Sequence, residues 1–173
     1  MAIAAKRREA PVSPLATPQI AFADATLVLG GKTIIENLNL GVRPGEFLCI
    51  VGASGCGKTT ALRLAAGLYQ PTGGAVNFDG QPMLQPRREI AIVFQDYGKA
   101  LLPWRTAAGN VSLALEAMGM PVTERPARIE ALLRKVGLPG HATKYPAEMS
   151  GGMQQRLQIA RCLAQEPKAL LMV

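Results

Sequence analysis

The sequence predicts an α/β fold, and three observations carry that prediction. A short apolar run at residues 46–51, EFLCIV, feeds directly into a glycine-rich loop and then into a helical pattern. Ahead of it lie two β-rich stretches joined by Gly30 and Gly31. Behind it, three helix-patterned segments separate two further apolar runs, IAIVF at 90–94 and ALLMV at 169–173. Short apolar runs alternating with helices are the pattern of strands buried on both faces. With 49% apolar and 18% charged residues in 173, the chain can bury a core, and general disorder is excluded.

Taken in order, residues 1–17 hold Lys6, Arg7, Arg8 and Glu9 but lack the apolar stretch of a secretory signal, so a mobile leader is expected, with the folded domain over 18–173. Residues 19–29 and 32–42 read as two antiparallel strands. After the apolar run 46–51 and its loop, residues 58–68 place Ala61, Leu62, Ala65 and Leu68 at helical spacing, and Gly67 and Pro71 mark the end. Residues 71–80 read as turn, strand, turn, and 90–94 as a second buried strand. Helices are expected over 110–118 and over 123–136, the latter with Thr123 as N-cap and a stripe of Ile129, Leu132, Leu133 and Val136. A further helix over 150–164 turns Leu157, Ile159, Ala160 and Leu163 inward, and a strand follows Pro167.

The charge balance, 19 Lys and Arg against 12 Asp and Glu, gives +7. A nucleic-acid partner is disfavoured, because the basic residues form no patch beyond the leader and four Phe, three Tyr and one Trp offer few stacking platforms. No apolar stretch approaches the ~20 residues that span a bilayer. Cys49, Cys56 and Cys162 are too scattered for a disulfide framework or paired metal site, which points to a reducing compartment.

The loop Gly52, Ala53, Ser54, Gly55, Cys56, Gly57, Lys58, Thr59 fits G-x-x-x-x-G-K-[ST]. The glycines are expected to open backbone conformations closed to other residues, so that successive N–H groups converge on one anion. The following helix adds its positive end, Lys58 a point charge for the β- and γ-phosphates, and Thr59 a hydroxyl for Mg²⁺, with Thr60 a second oxygen. An ordinary glycine turn would need neither the strand before it nor the helix after it. Cys56 reads as a small filler ahead of a reactive thiol, and Cys49 and Cys162 as core residues. A second anion-receptive helix start is expected at Met149–Arg156, MSGGMQQR, where Ser150 can cap and Gly151 and Gly152 open the first turn.

GASGCGKT, then VFQ ending at Gln95, then MSGGMQQRLQIARCLA resembles the ATPase subunit of ABC transporters over residues 20–172. The resemblance implies a P-loop NTPase core of ABC-ATPase type, with an N-terminal antiparallel β subdomain and a helical and signature subdomain at about 98–155. It implies ATP and Mg²⁺ as ligands, Thr59 and Gln95 toward the metal, and Gln95 as the catalytic-site residue of the Q-loop. Ser150, Gly151, Gly152, Met153 and Gln154 stand as the signature that faces ATP held by a second subunit, a homodimer being expected. FQDYGKALLPWRTAAGNV at 94–111 resembles the importers of nitrate, sulfonates and taurine. Partners implied are a transmembrane permease and, indirectly, a periplasmic or extracellular solute-binding protein, with the chain on the cytoplasmic face of the cell membrane. Leu102, Pro103 and Trp104 are candidate permease contacts or, with equal weight, a buried hinge.

Three departures accompany the resemblance. Family members continue into a strand ending in Asp-Glu, whose Asp would fall at Val173, and into a switch histidine, whereas His141 precedes the signature. The expectation is a domain incomplete at its C-terminus. Leu29 stands where members stack an aromatic on adenine, and Phe22 lies near but off register. Two functions therefore stay open: an ATPase motor of solute import, and a nucleotide-binding fragment that does not hydrolyse. A nucleic-acid-acting ATPase is set aside.

Overall fold

The computed structural model describes residues 4–8, 17–96 and 100–173. It comprises two compact units, residues 1–87 and 88–173. In the first, β1 (Ala4–Arg8), β2 (Ile20–Leu29), β3 (Lys32–Val42), β4 (Phe47–Val51), α1 (Lys58–Ala65), β5 (Gly73–Phe78) and β6 (Gln81–Pro82) follow in chain order. The expected antiparallel pair is β2 and β3, joined by Gly30 and Gly31 at φ 56° and 77°, the left-handed pair a two-residue hairpin requires. With β5 and β6 they form a four-stranded sheet of order β3-β2-β5-β6. Ile20, Phe22, Ala25, Leu27, Ile35, Val76 and Phe78 are its buried side chains, and α1 packs on β3 and β5.

The β2–β3 ribbon is bulged near Ala25, where Asp24 has φ 48° and its carboxylate accepts from Asn39 Nδ2 at 2.6 Å. Gly74 on β5 lies against this bulge. A Cβ on Gly74 would overlap the carbonyl oxygens of Ala23 and Asp24, and its φ is 68°. Gly74→Ala is therefore expected to lower stability by about 3 kcal/mol, read as a shifted urea midpoint.

Two expectations are corrected in this unit. The apolar run feeding the loop was expected to be covered on both faces; β4 instead alternates exposed and half-buried residues, with Phe47 68% exposed, and pairs antiparallel with β1. The partner comes from within the stretch 1–17 expected as a mobile leader: Ala4–Arg8 hydrogen-bond along an open strand edge, which an extended run can always satisfy. Residues 1–3 and 9–16 of that stretch lie outside the described residues. Helix α1 also stops at Ala65 rather than 68, because Gly67 turns left-handed at φ 72° against the Gln85 carbonyl. Its buried face is accordingly Ala61, Leu64 and Ala65, with Leu68 left 43% exposed.

The second unit holds β7 (Ile90–Val93), α2 (Ala107–Ala117), α3 (Arg125–Lys135), a 3₁₀ turn at Pro146–Glu148, α4 (Gly151–Leu163) and β8 (Ala169–Met172). Strands β7 and β8 pair in parallel, Ile90 beside Ala169 through Val93 beside Met172. The three helices share one core of Val111, Leu115, Ile129, Leu132, Leu133, Leu157 and Ala160, so the apolar stripes are oriented as their spacing requires. Thr123 is not a cap. Glu124 takes that place in helical conformation without a side-chain bond, since Pro126 in the first turn presets φ and removes one donor that would need capping. In α2 the start is earlier than expected, at Ala107, because Thr106 caps it by accepting from Gly109 N at 3.1 Å.

Candidate functional site

The loop between β4 and α1 is built by two glycine devices of different kinds. Gly55 and Gly57 take φ 76° and 98°, as the sequence reading requires, and Gly57 is the residue that opens α1. A side chain at Gly57 would also press on the Ile34 carbonyl at 3.1 Å. Gly52 differs: its backbone is unstrained, and what it cannot accommodate is volume, because a Cβ would stand 2.8 Å from Cys56 Sγ. Cys56 is buried and fills that space, in accord with its reading as filler.

Lys58 folds back over the loop. Its ammonium donates to the Gly52 carbonyl at 2.9 Å and the Ala53 carbonyl at 2.7 Å, with Cys56 Sγ at 3.7 Å. Thr59 and Thr60 follow in the first turn, Thr59 exposed and Thr60 half-buried, and no acidic residue occupies that turn. A positive helix end, a cation and free first-turn N–H groups converge here, which is the chemistry of an anion site. Mg²⁺ fits this donor set only as a companion of phosphate, since Thr59 offers one hydroxyl and, among the described residues, no group of three or more His, Cys, Asp or Glu could hold an ion.

The second anion-receptive element is the start of α4. Ser150 caps it, its hydroxyl accepting from Met153 N at 3.4 Å, and a side chain at Gly152 would meet nothing within 4 Å. Gln154 points the other way. Its Nε2 donates to the carbonyls of Pro146 at 2.9 Å and Met149 at 3.1 Å, fastening the preceding 3₁₀ turn under the helix. Met149 is buried, Gly151 and Met153 half-buried. Gln95 follows β7 and is exposed. His141 lies between α3 and α4, its Nδ1 2.7 Å from the Pro139 carbonyl.

The Leu102–Trp104 turn is settled by burial: Trp104 is 71% exposed and Pro103 exposed, so the buried-hinge reading is corrected, and the apolar anchor of the turn is Leu101, 2% exposed. What holds the turn is Asn110, which the apolar-stripe reading passed over. Wholly buried on α2, it accepts from Leu102 N at 2.8 Å and donates to the carbonyls of Leu102, Arg105 and Thr106 at 3.0–3.1 Å. Gln158 on α4, also wholly buried, is the other residue the stripe missed. Its only sequence signal was a polar side chain on an apolar helix face. Phe22 is 7% exposed, packed in the sheet core, whereas Leu29 is 41% exposed at the end of β2.

Beside the turn, the Glu116 carboxylate is held below its ordinary pKa by the Ser112 hydroxyl at 2.8 Å and by Arg105 and Arg125 at 3.6 and 3.4 Å. A lowered carboxylate supports the fold above its unfolded pKa and stops doing so as pH falls through the folded one. Glu116→Gln is thus expected to leave stability unchanged at the acid end and to flatten its rise across the carboxylate range, measured by urea titration at stepped pH. A pocket of about 250 Å³ lies elsewhere, at the far end of α4 from Ser150 between Arg128, Leu132, Lys135, Leu163 and Pro167.

Known proteins with the same pattern agree in kind. The chain is 47% identical over 138 residues to an uncharacterized ABC transporter ATP-binding protein of Methanocaldococcus jannaschii, covering 80% of this chain and 51% of that one. It is 46% identical to the nitrate import ATP-binding protein NrtC of Synechococcus elongatus, over 83% of this chain and 22% of that one. With the bicarbonate transport ATP-binding protein CmpD of Synechocystis it shares 44%, over 83% and 51%. The chain spans about half the length, or less, of these relatives. Among solved structures, a dimeric post-hydrolysis state of the ATP-binding cassette MJ0796 bound to ADP and Pi aligns with TM-score 0.76 and 32% identity, covering 88% of this chain and 72% of that one. CbiO1 of Clostridium perfringens aligns at TM-score 0.79 with 24% identity, over 90% and 65%, a likeness of fold. The ABC transporter family profile matches residues 35–172, and the chain therefore belongs to the ABC transporter family.

Proposed function

We propose that this chain is the nucleotide-binding part of an ATPase that drives import of a small solute through a membrane-spanning permease. The observation that carries the reading is the phosphate loop: Gly57 enters α1 left-handed while the Lys58 ammonium sits 2.7–2.9 Å from two loop carbonyls, poised over the helix start. A triphosphate is the ligand whose charge suits that convergence. Residues Gly52–Thr60 cradle its phosphates, Lys58 exchanges loop carbonyls for β- and γ-oxygens, and Thr59 offers its hydroxyl to Mg²⁺. Magnesium arriving with ATP supplies charge neutralisation on the phosphates. Gln95 is assigned to the metal and the attacking water, and Ser150, Gly151, Gly152 and Met153 to the ATP of a second copy, with Gln154 holding the turn beneath them. The dimeric state of MJ0796 supports that arrangement.

The names of the nitrate and bicarbonate relatives support a small oxyanion or related organic anion as solute. The Trp104 turn, exposed and apolar at its tip, is assigned to the permease, with a solute-binding protein outside the membrane and this chain at its cytoplasmic face. Adenine is expected to be held by Leu29 through apolar contact without a stacked ring. The test is ATP-dependent uptake of nitrate and of bicarbonate into vesicles holding the permease with this subunit. Uptake that ignores ATP, or a chain that binds no ATP by titration calorimetry, overturns the reading. ATP binding without phosphate release favours instead the non-hydrolysing fragment.

A further inference from the structure

Gln158 occupies a position where packing alone would favour an apolar residue. It is fully buried on α4, next to Leu157 and two residues before Ala160, both also fully buried. Burying a carboxamide is unfavourable for each polar group left unpaired, so both of its ends must be satisfied. They are, by a single residue, once the amide is oriented with its oxygen toward the N–H and its nitrogen toward the carbonyl: Gln158 Oε1 then accepts from Phe94 N at 2.7 Å and its Nε2 donates to the Phe94 carbonyl at 3.1 Å. A carboxamide presents one donor and one acceptor side by side, as a neighbouring strand would. One helical turn later the Cys162 thiol donates to the Ile92 carbonyl at 3.3 Å, and burial pushes that thiol's pKa up, keeping it a donor.

These contacts fall on one edge of one strand. Peptide groups of alternate residues face the same edge, and Val93, whose carbonyl accepts from Val173 N at 2.9 Å, faces β8. Ile92 and Phe94 thus face the opposite edge, which has no strand beside it among the described residues. Two side chains of α4 take the place of that strand. The second of the bonded residues, Phe94, immediately precedes Gln95.

We propose that Gln158 is a positioning residue that ties the helix bearing Ser150, Gly151 and Gly152 to the peptide just before Gln95, so that the Q-loop backbone and the signature helix move as one body. This rests on the reading above that both ends engage nucleotide. Leu cannot replace Gln158 in this role, although its volume is similar, because it leaves the Phe94 N–H and carbonyl unpaired. Glu keeps the acceptor and, when ionised, loses the donor.

The test combines amide exchange and ATP titration on the whole chain, as wild type, Gln158→Leu and Gln158→Glu. In the wild type the Phe94 amide is expected to exchange at least ~10-fold slower than that of Gln95. In Gln158→Leu that protection falls about 10-fold while α4 amides hold theirs; ATP affinity in EDTA stays within about twofold, and the tightening produced by Mg²⁺ drops roughly 10-fold. Gln158→Glu is expected to lie between, and it carries the test if the leucine variant does not fold. An unprotected Phe94 amide in the wild type overturns the proposal, as does a loss of ATP affinity equal with and without Mg²⁺ and parallel to the loss of thermal stability. A protected Phe94 in a wild-type chain that binds no ATP overturns the nucleotide reading itself, and with it the transmission from one end to the other.

Discussion

Lys58→Ala is expected to weaken ATP binding at least ~100-fold while leaving the thermal midpoint almost unmoved. Hydrogen bonds to charged groups are worth about 1.5–3 kcal/mol each, and the ammonium has two to give, now to the Gly52 and Ala53 carbonyls. Transferred to phosphate oxygens, two such bonds amount to roughly 3–5 kcal/mol, or at least two decades in affinity. The fold loses little, because Gly52 and Ala53 are exposed and water satisfies their carbonyls once the side chain is gone. Calorimetric titration of ATP and a thermal melt on the same preparation check both halves. Equal ATP affinity in the two proteins removes the phosphate loop as the nucleotide site.

The second large effect is on stability. Asn110→Leu removes four hydrogen bonds at a wholly buried position and takes the side-chain partner from the Leu102 amide and the Arg105 carbonyl, while the Leu102 and Thr106 carbonyls keep their bonds to Arg105 N and Asn110 N. Unsatisfied buried groups cost about 1–3 kcal/mol each, and the turn can relax toward water, so a net loss of about 3 kcal/mol is expected. Trp104 is the chain's only tryptophan and rides on that turn, so its emission reports the turn directly. The expected result is a lower urea midpoint together with a change in Trp104 emission below the transition. A variant that unfolds at the wild-type midpoint refutes the clamp.

How much was legible in the sequence follows from the range of the forces involved. Gly30–Gly31, Ser150 and the Ile129–Leu133 stripe act within a turn or a helix, and each took its expected place. The phosphate loop was legible because its spacing is its mechanism, with the exception of Gly52, whose constraint is a side chain four residues ahead. Asn110 and Gln158 were not, since their partners at Leu102 and Phe94 come together only after helices and strands have packed. A lone polar residue within an apolar stripe is the trace they leave. The environment of β4 was misjudged for a related reason: an apolar run states that it wants cover, and pairing with β1 is a matter of topology.

That pairing bears on how the chain comes off the ribosome. Strand β1 precedes β4 by some 40 residues, so it has already emerged when the strand that feeds the phosphate loop is made. One rim of β4 therefore meets a complementary segment of its own chain at birth, before it can meet another copy. An apolar strand with a bare rim is the element on which nascent chains stick together.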